Sequence, residues 1–225
     1  MKKTAHIVFI ISITLIAFSC SALRNRRNTT DEGVVINGVV WATRNVDAPG
    51  TFAQNPEDAG MLFQWNRKKA WTTTDDITGW DSSLPDGTTW KSENDPCPPG
   101  WRVPTEAEFY SLKNSVSIWT TKNGVNGRLF GDTPNQLFFP AAGWRDTNGG
   151  FIFAGIHGGY WSNTQGISAR EEELAYLDPD DTDLADMLRQ GDILFARDFV
   201  FVDGLVSILN NHRERGFSIR CVAKN

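Results

Sequence analysis

The segment that decides the fold is Asp95-Pro96-Cys97-Pro98-Pro99-Gly100-Trp101-Arg102-Val103-Pro104-Thr105. Its prolines fix φ along an extended approach, and Trp101 offers a large apolar surface to bury. Thr105 then places a hydroxyl at the start of a helix, and Glu108 follows three residues later, which is the pattern of a reciprocal capping box. The pattern predicts a rigid corner followed by a helix over residues 106–114.

Short strand patterns lie on both sides of this corner. Asn37-Gly38 and Asp203-Gly204 are dipeptides that favour tight hairpin turns, and each separates two β-branched or apolar runs. A second short helix is predicted over residues 183–190, with Gly191 as its terminator. The segment 68–95 is rich in Thr, Asp, Gly and Ser and is predicted to be a long loop. Many short strands, few helices and long loops together predict an α+β domain.

Composition limits what the 225-residue chain can be. Nine Trp and fourteen Phe provide the apolar surface of a folded domain, so disorder is excluded for most of the length. A formal net charge of −5 argues against a nucleic-acid partner, because no excess of positive charge is present to displace counterions. The length after the leader fits one domain or at most two small ones.

The N-terminus has the features of an export signal. Lys2 and Lys3 precede an apolar run that is too short to span a bilayer, so residues 1–19 are predicted to be a signal peptide. The sequence that ends in Cys20 resembles the lipobox of bacterial lipoproteins, which implies lipidation of Cys20 and attachment to the outer membrane. Simple secretion is the alternative. Residues 20–32 are predicted to be a tether between the lipid and the domain. Its arginines and the lack of an acidic run favour an anchor on the periplasmic face of the outer membrane. The alternative is an anchor on the cell-surface face.

Two further cysteines, Cys97 and Cys221, remain in the exported part of the chain. An isolated pair outside the cytoplasm is most economically a disulfide. A catalytic thiol is the alternative, but it would need a basic neighbour, and His157 and His212 are the histidines left after the leader. We therefore expect a structural disulfide between Cys97 and Cys221.

Seven strings of the sequence occur in an order that points to a known family. They are VWATRNV (40–46), GMLFQW (60–65), DPCPPGWRVPT (95–105), NGRLF (126–130), FPAAG (139–143), GYWS (159–162) and GFSIRCV (216–222). Together they resemble the Fibrobacter succinogenes major paralogous domain, and the resemblance covers residues 33–225. It implies a C-type-lectin-like fold with short antiparallel strands, one or two short helices and long loops, distantly related to the formylglycine-generating domain.

The resemblance does not imply an activity. The catalytic cysteine pair of the formylglycine-generating enzyme has no counterpart, because Cys97 and Cys221 occupy scaffold positions. The Glu-Pro-Asn, Gln-Pro-Asp and Trp-Asn-Asp strings with which sugar-binding C-type lectins hold calcium are absent from the sequence. Enzymatic oxidation and calcium-dependent lectin activity are therefore not expected.

Two groups of residues are candidates for binding. The acidic residues Asp178, Asp180, Asp181 and Asp183 present carboxylates of the kind that Ca²⁺ prefers, but they miss the EF-hand spacing, and capping of the following helix is the favoured interpretation. No cofactor is expected otherwise. Trp71, Trp80 and Trp90 lie in the predicted loop and could stack on sugar rings or on a protein partner, although packing against the domain is the favoured alternative.

The sequence as a whole predicts a non-enzymatic, lipid-anchored protein of the cell envelope that binds a glycan or a protein. Two other functions are considered. The first is an enzyme that acts on envelope or dietary polysaccharide, since two carboxylates that are distant in sequence can meet in space. The second is a structural subunit of a surface appendage.

Overall fold

The computed structural model describes residues 29–74, 76–166 and 194–224. These residues form short strands, an eight-residue helix α1 (Glu106–Lys113) and a 3-10 turn at Ser92–Asn94. In chain order, the strands are β1 (Val34–Ile36), β2 (Val39–Trp41), β3 (Leu62–Gln64), β4 (Ala70–Trp71), β5 (Trp101–Arg102), β6 (Ser117–Lys122), β7 (Val125–Phe130), β8 (Leu137–Pro140), β9 (Trp144–Arg145), β10 (Phe151–Ile152), β11 (Gly158–Gln165), β12 (Phe195–Val202), β13 (Leu205–His212), β14 (Gly216–Phe217) and β15 (Val222–Ala223).

The strands of the described residues pair into four antiparallel sheets. Their orders are β1-β2-β15-β5, β10-β9-β14-β3-β4, β11-β12-β13 and β6-β7-β8. Strands β14 and β15 come after every other strand in the chain, yet β15 lies between β2 and β5, and β14 lies between β9 and β3. The C-terminal segment therefore joins elements from the whole length of the domain.

The two hairpins predicted from turn dipeptides are confirmed. Asn37 and Gly38 have φ values of 50° and 81°, the left-handed conformations that a two-residue turn between twisted strands requires. Asp203-Gly204 connects β12 to β13, with Val202 paired to Leu205. A third hairpin, β6–β7, was missed by the sequence analysis although Asn123-Gly124 marks its turn in the same way, with φ values of 48° and 82°.

Helix α1 begins where the capping box placed it. Thr105 accepts from the backbone N–H of Glu108, and the Glu108 carboxylate accepts from the backbone N–H of Thr105 at 2.7 Å. One face of the helix buries Phe109 and Leu112, and the Phe109 ring stacks on Phe199 of β12 with centroids 4.8 Å apart. The predicted helix is confirmed, with its last helical residue at Lys113 rather than Asn114.

The prediction of an α+β domain was wrong. Strands hold 39% of the described residues and helices 7%, so the fold is β-rich. The prediction counted a second helix over residues 183–190, which lies outside the described residues, and it missed the strands of residues 117–130. Strand β7 contains Asn126 and Gly127 at interior positions, and their low β-propensity weakens the strand pattern there.

The core consists of two neighbouring clusters. One lies under α1 and includes Trp41, Phe139, Tyr160 and Phe199; the other, around Trp161, includes the residues of the corner and of the C-terminal segment. Burying each large side chain of this kind contributes roughly 1.5–3 kcal/mol. Among the described residues, the aromatic side chains that are 1% exposed or less are Trp41, Phe52, Phe63, Trp65, Phe109, Phe130, Phe139, Tyr160, Trp161, Phe199, Phe201 and Phe217.

The disulfide predicted from the sequence is present. Cys97 in the corner is bonded to Cys221, which precedes β15, and the Cα atoms of the two residues are 6.1 Å apart. The bond spans 124 residues. In the chain-entropy model, closing a loop of this length stabilises the folded state by about 4–5 kcal/mol.

The start of the domain is held by Asp31, a residue that the sequence analysis placed in the tether. Its carboxylate accepts from the Thr43 hydroxyl at 2.8 Å and from Arg44 Nε at 3.1 Å, and its side chain is 1% exposed. The predicted signal peptide, Cys20 and residues 21–28 lie outside the described residues. Among the helices that the structure describes, none has the length and apolar character needed to cross a membrane.

Candidate functional site

The three tryptophans of segment 68–95 occupy different environments. Trp71 is 5% exposed, and its ring lies 4.8 Å from that of Trp80 and 3.9 Å from Lys69 Nζ. Trp90 is half-buried and packs edge-on against buried Trp65, with centroids 5.6 Å apart. The structure therefore brings Trp71 and Trp80 together and places Trp90 apart from them. Of the three, Trp80 lines an open cleft.

The Trp80 ring is held in place from several sides. Its Nε1 donates to the carbonyl of Thr147 at 2.9 Å, and one face packs on Trp71. The ring also lies directly against Gly149, where a Cβ atom would be 2.8 Å from Trp80 Cγ. Gly149 has a φ of +86°, so this position needs glycine both for its conformation and for the close approach of the ring.

Trp80 lines a cleft of about 890 Å³, which we call the Trp80 cleft. Aromatic, apolar and polar groups line it together, as is typical of sites that bind small molecules. Asp76 is exposed at its edge, and Asn148 contributes an amide whose Oδ1 accepts from the backbone of Gly150 at 2.9 Å. The described lining residues are Asp76, Ile77, Trp80, Arg145, Asn148, Gly149, Gly150 and Phe151.

The floor of the Trp80 cleft is built around Arg145 of β9, which is 1% exposed. Its nitrogens donate to three carbonyls: those of Thr72 at 2.9 Å, Thr74 at 3.1 Å and Gly149 at 2.8 Å. The guanidinium carbon also lies 5.4 Å from the centre of the Phe151 ring. Arg145 thus fixes the relative positions of the loop after β4, the turn before β10 and the aromatic side wall. Its role in the cleft is to hold the backbone that shapes it.

A second polar cluster is buried in the core, and it has the character of a structural element. Each nitrogen of Arg220 donates to a protein oxygen: Asn45 Oδ1 at 2.9 Å and the carbonyls of Ala42 and Phe138 at 3.2 and 3.1 Å. Burial lowers the pKa of Arg220 to about 10, so the guanidinium is charged at neutral pH. Burial also raises the pKa of Tyr160, beside Asn45, to about 12. This network joins three of the sequence strings that indicated the family, VWATRNV, GYWS and GFSIRCV.

Other sequence candidates are placed as follows. His157 packs against Trp144 and Phe153, and burial lowers its pKa. The acidic residues Asp178, Asp180, Asp181 and Asp183 lie outside the described residues, so the structure does not place them. Among the residues that it does describe, no group of three or more His, Cys, Asp or Glu side chains could hold a metal ion.

Of the described lining residues, Trp80 alone was a predicted site residue, and Arg145 and Phe151 were not. The turn that contains Gly149 and Gly150 pairs β9 with β10 and brings the side chains of Arg145 and Phe151 to the same place. Nothing in the sequence showed that Arg145 would be buried on backbone carbonyls, because those carbonyls belong to a loop that lies about 70 residues earlier.

The described residues form a β-rich domain that is closed by the disulfide between Cys97 and Cys221. Comparison with known families agrees with the family that the sequence strings indicated. The model of the Fibrobacter succinogenes major domain matches residues 34–223, and the chain belongs to this family. No curated protein and no solved structure matches the chain significantly. The likeness to C-type lectins and the lipoprotein assignment are not confirmed by these comparisons.

Proposed function

We propose that this protein is a non-enzymatic binding protein of the cell envelope that holds a carbohydrate in the Trp80 cleft. The observation that carries the proposal is the rigidly held, half-exposed Trp80 ring, which forms the wall of an open cleft with polar groups at its edge. Apolar faces of sugar rings pack on aromatic rings, while the hydroxyls around them need hydrogen-bond partners. The Trp80 cleft offers both kinds of group side by side.

Rigidity supports this assignment. Ordering a side chain on binding costs roughly 0.5–1.5 kcal/mol, and Trp80 is already fixed by Thr147, Trp71 and Gly149. A preformed aromatic wall at an open cleft therefore supports binding.

The lining favours binding without catalysis. Glycoside hydrolysis ordinarily requires two carboxyl groups that flank the bond to be broken. The described residues of the Trp80 cleft supply a single carboxylate, Asp76, and the buried cation, Arg145, is committed to backbone carbonyls.

The location is part of the proposal. We expect Cys20 to carry the lipid and the domain from Asp31 onward to stand on a tether of about ten residues. Mass spectrometry of the natively exported protein should find an acylated Cys20 as the mature N-terminus. An unmodified cysteine, or a mature chain that begins elsewhere, would contradict the lipid anchor without affecting the Trp80 cleft.

An array of immobilised glycans, followed by titration calorimetry on the glycans that bind, tests the binding function. Trp80→Ala should weaken binding by roughly tenfold or more, as expected for a central aromatic anchor. Trp80→Phe, which keeps most of the packing on Trp71, should weaken it less. Trp90→Ala is the matched control, because Trp90 is also half-buried but lies apart from the cleft.

Circular dichroism and thermal unfolding of each variant establish that the fold is retained. The proposal fails if folded Trp80→Ala binds as the wild type does, or if no glycan binds at all. A turnover assay on each bound glycan addresses catalysis, since release of shorter products would contradict the non-enzymatic assignment.

A further inference from the structure

The Trp80 cleft does not end at Phe151. A second cleft of about 570 Å³, which we call the Glu57 cleft, has Phe151 in its lining as well, so the two clefts meet at this ring. The Glu57 cleft continues toward the β6–β7 turn between the loop before β3 and the segment after β10. Its described lining includes Glu57, Asp58, Gly124, Asn126, Ala154 and Gly155.

Glu57 supplies an unsatisfied acceptor in this second cleft. The side chain is 9% exposed, and its Oε1 accepts from Asn123 Nδ2 at the β6–β7 turn. Its Oε2 is buried and has no hydrogen-bond partner among the described residues. The bond from Asn123, and to a lesser extent the charge of Lys122, lower the pKa of Glu57, so the carboxylate is ionised at neutral pH. Buried acceptors are ordinarily satisfied, so this oxygen at the wall of the cleft needs a donor that the described residues do not supply.

The charges of the two clefts restrict the kind of ligand. Asp76 stands at the Trp80 end, while Glu57 and Asp58 stand at the other. Arg145, which lines the Trp80 cleft, is buried and bonded to three carbonyls. Apart from Arg145, the charged side chains of the described lining are therefore acidic at both ends. A ligand with carboxylate or sulfate groups would be repelled, whereas hydroxyl groups would find acceptors.

We propose that the two clefts form one continuous groove for a neutral, linear oligosaccharide, with one sugar ring on Trp80, the chain passing Phe151, and hydroxyls of a further sugar donating to Glu57. This inference rests on the proposed function, because it specifies the ligand of the same site. It adds a second contact point, a minimum ligand length and a preference against acidic glycans.

The test uses neutral oligosaccharides of glucose, mannose and xylose with one to six units, and oligogalacturonates of the same lengths as acidic probes. Titration calorimetry should show affinity that rises with length until both ends of the groove are occupied and then levels off. Glu57→Gln should weaken binding of the longest neutral probes roughly tenfold and leave the shortest unchanged, since Gln keeps an acceptor for Asn123 but loses the charged acceptor facing the ligand. Oligogalacturonates should bind more weakly at every length.

Glu93→Gln, in the 3-10 turn and outside both clefts, is the matched control and should bind every probe as the wild type does. The inference is overturned, with the proposed function intact, if binding depends on Trp80 but is equal for short and long probes, if Glu57→Gln has no effect, or if acidic probes bind as well as neutral ones. If no oligosaccharide binds in a Trp80-dependent manner, the proposed function fails, and this inference fails with it.

Discussion

The core around Arg220 and the groove from Trp80 to Glu57 differ in whether their buried polar groups have hydrogen-bond partners within the protein. In the core, each nitrogen of a fully buried guanidinium has a protein oxygen as its acceptor. In the groove, the carboxylate of Glu57 is ionised and nine-tenths buried, and one of its oxygens has no partner among the described residues. The first arrangement is complete without any other molecule. The second is completed by a donor from outside.

This contrast is more informative than burial alone. Both regions are polar and both contain aromatic rings, since Arg220 lies 4.5 Å from the ring of Phe139 and Arg145 lies 5.4 Å from that of Phe151. What separates Arg220 from Glu57 is that the hydrogen-bonding capacity of the first is met within the protein, whereas the second lines a cleft and one of its oxygens has no partner among the described residues. Three substitutions would break or sharpen the distinction.

The largest effect is expected at Arg220. Arg220→Met would leave Asn45 Oδ1 and the carbonyls of Ala42 and Phe138 without donors, and we expect the free energy of unfolding to fall by about 3–5 kcal/mol. Urea denaturation with the disulfide intact measures this change. Arg67→Met is the control, because its ion pair with the half-exposed Asp81 contributes about 0–1 kcal/mol. Equal losses for the two variants would refute a structural role specific to Arg220.

Asp198 provides an intermediate effect that depends on pH. It is a buried carboxyl on β12 that accepts from Asn211 Nδ2 at 2.8 Å, and its Oδ1 has no partner among the described residues. Burial raises its pKa from 3.8 to about 8, in spite of Asn211 and the positive charges of Arg215 and Arg197. Unlike Glu57, this carboxyl is protonated at neutral pH, and it is not among the lining residues of the groove.

Because folded Asp198 holds a proton between pH 3.8 and about 8 and unfolded Asp198 does not, its contribution to stability must fall as pH rises through that window. Asp198→Asn removes the dependence, so we expect the variant to match the wild type near pH 4 and to exceed it by a few kcal/mol at pH 8. Urea denaturation across this range measures the difference. Asp132→Asn, at an exposed position, should leave the profile unchanged. A parallel profile for Asp198→Asn would contradict the assignment.

The smallest effect on stability, combined with a clear effect on binding, is expected at Gly149. In Gly149→Ala, the new Cβ would lie 2.8 Å from Trp80 Cγ at a φ of +86°, so the indole must move away from its place in the cleft. We expect a loss of about 1–3 kcal/mol in unfolding free energy together with weakened glycan binding. Gly50→Ala has a similar φ of +83° and meets no atom within 4 Å, so it should reproduce the backbone strain without the loss of binding. Unchanged binding in Gly149→Ala would show that the Trp80 position does not matter.

Features that depend on neighbouring residues could be predicted from the sequence. Local chemistry predicts the capping box of Thr105 and Glu108 and the turn at Asn37-Gly38. The disulfide follows because Cys97 and Cys221 are the two cysteines that remain after the predicted leader and Cys20. The turn at Asn123-Gly124 had the same signal and was overlooked. The family was also predictable, because its strings are specific and lie in a fixed order.

The groove could not be predicted in the same way. Trp71 and Trp80 lie in one segment of uniform composition, which was predicted to be a loop. Trp71 belongs to β4 and is buried, whereas Trp80 lines a cleft, because Thr147 and Gly149 approach Trp80 from more than 60 residues away. The unpartnered oxygen of Glu57 likewise depends on where the distant Asn123 places its amide. The balance of strand and helix was misjudged for the same reason, since strand pairing is a long-range property.

The placement of residues 216–223 has a consequence for biogenesis. These residues form inner strands of two sheets, β14 between β9 and β3 and β15 between β2 and β5, and Cys221 lies among them. While the ribosome is still making the preceding part of the chain, both sheets therefore keep unpaired edges. Under the proposed export, translocation would therefore begin before either sheet is complete, and the disulfide would form once Cys221 has reached an oxidising compartment.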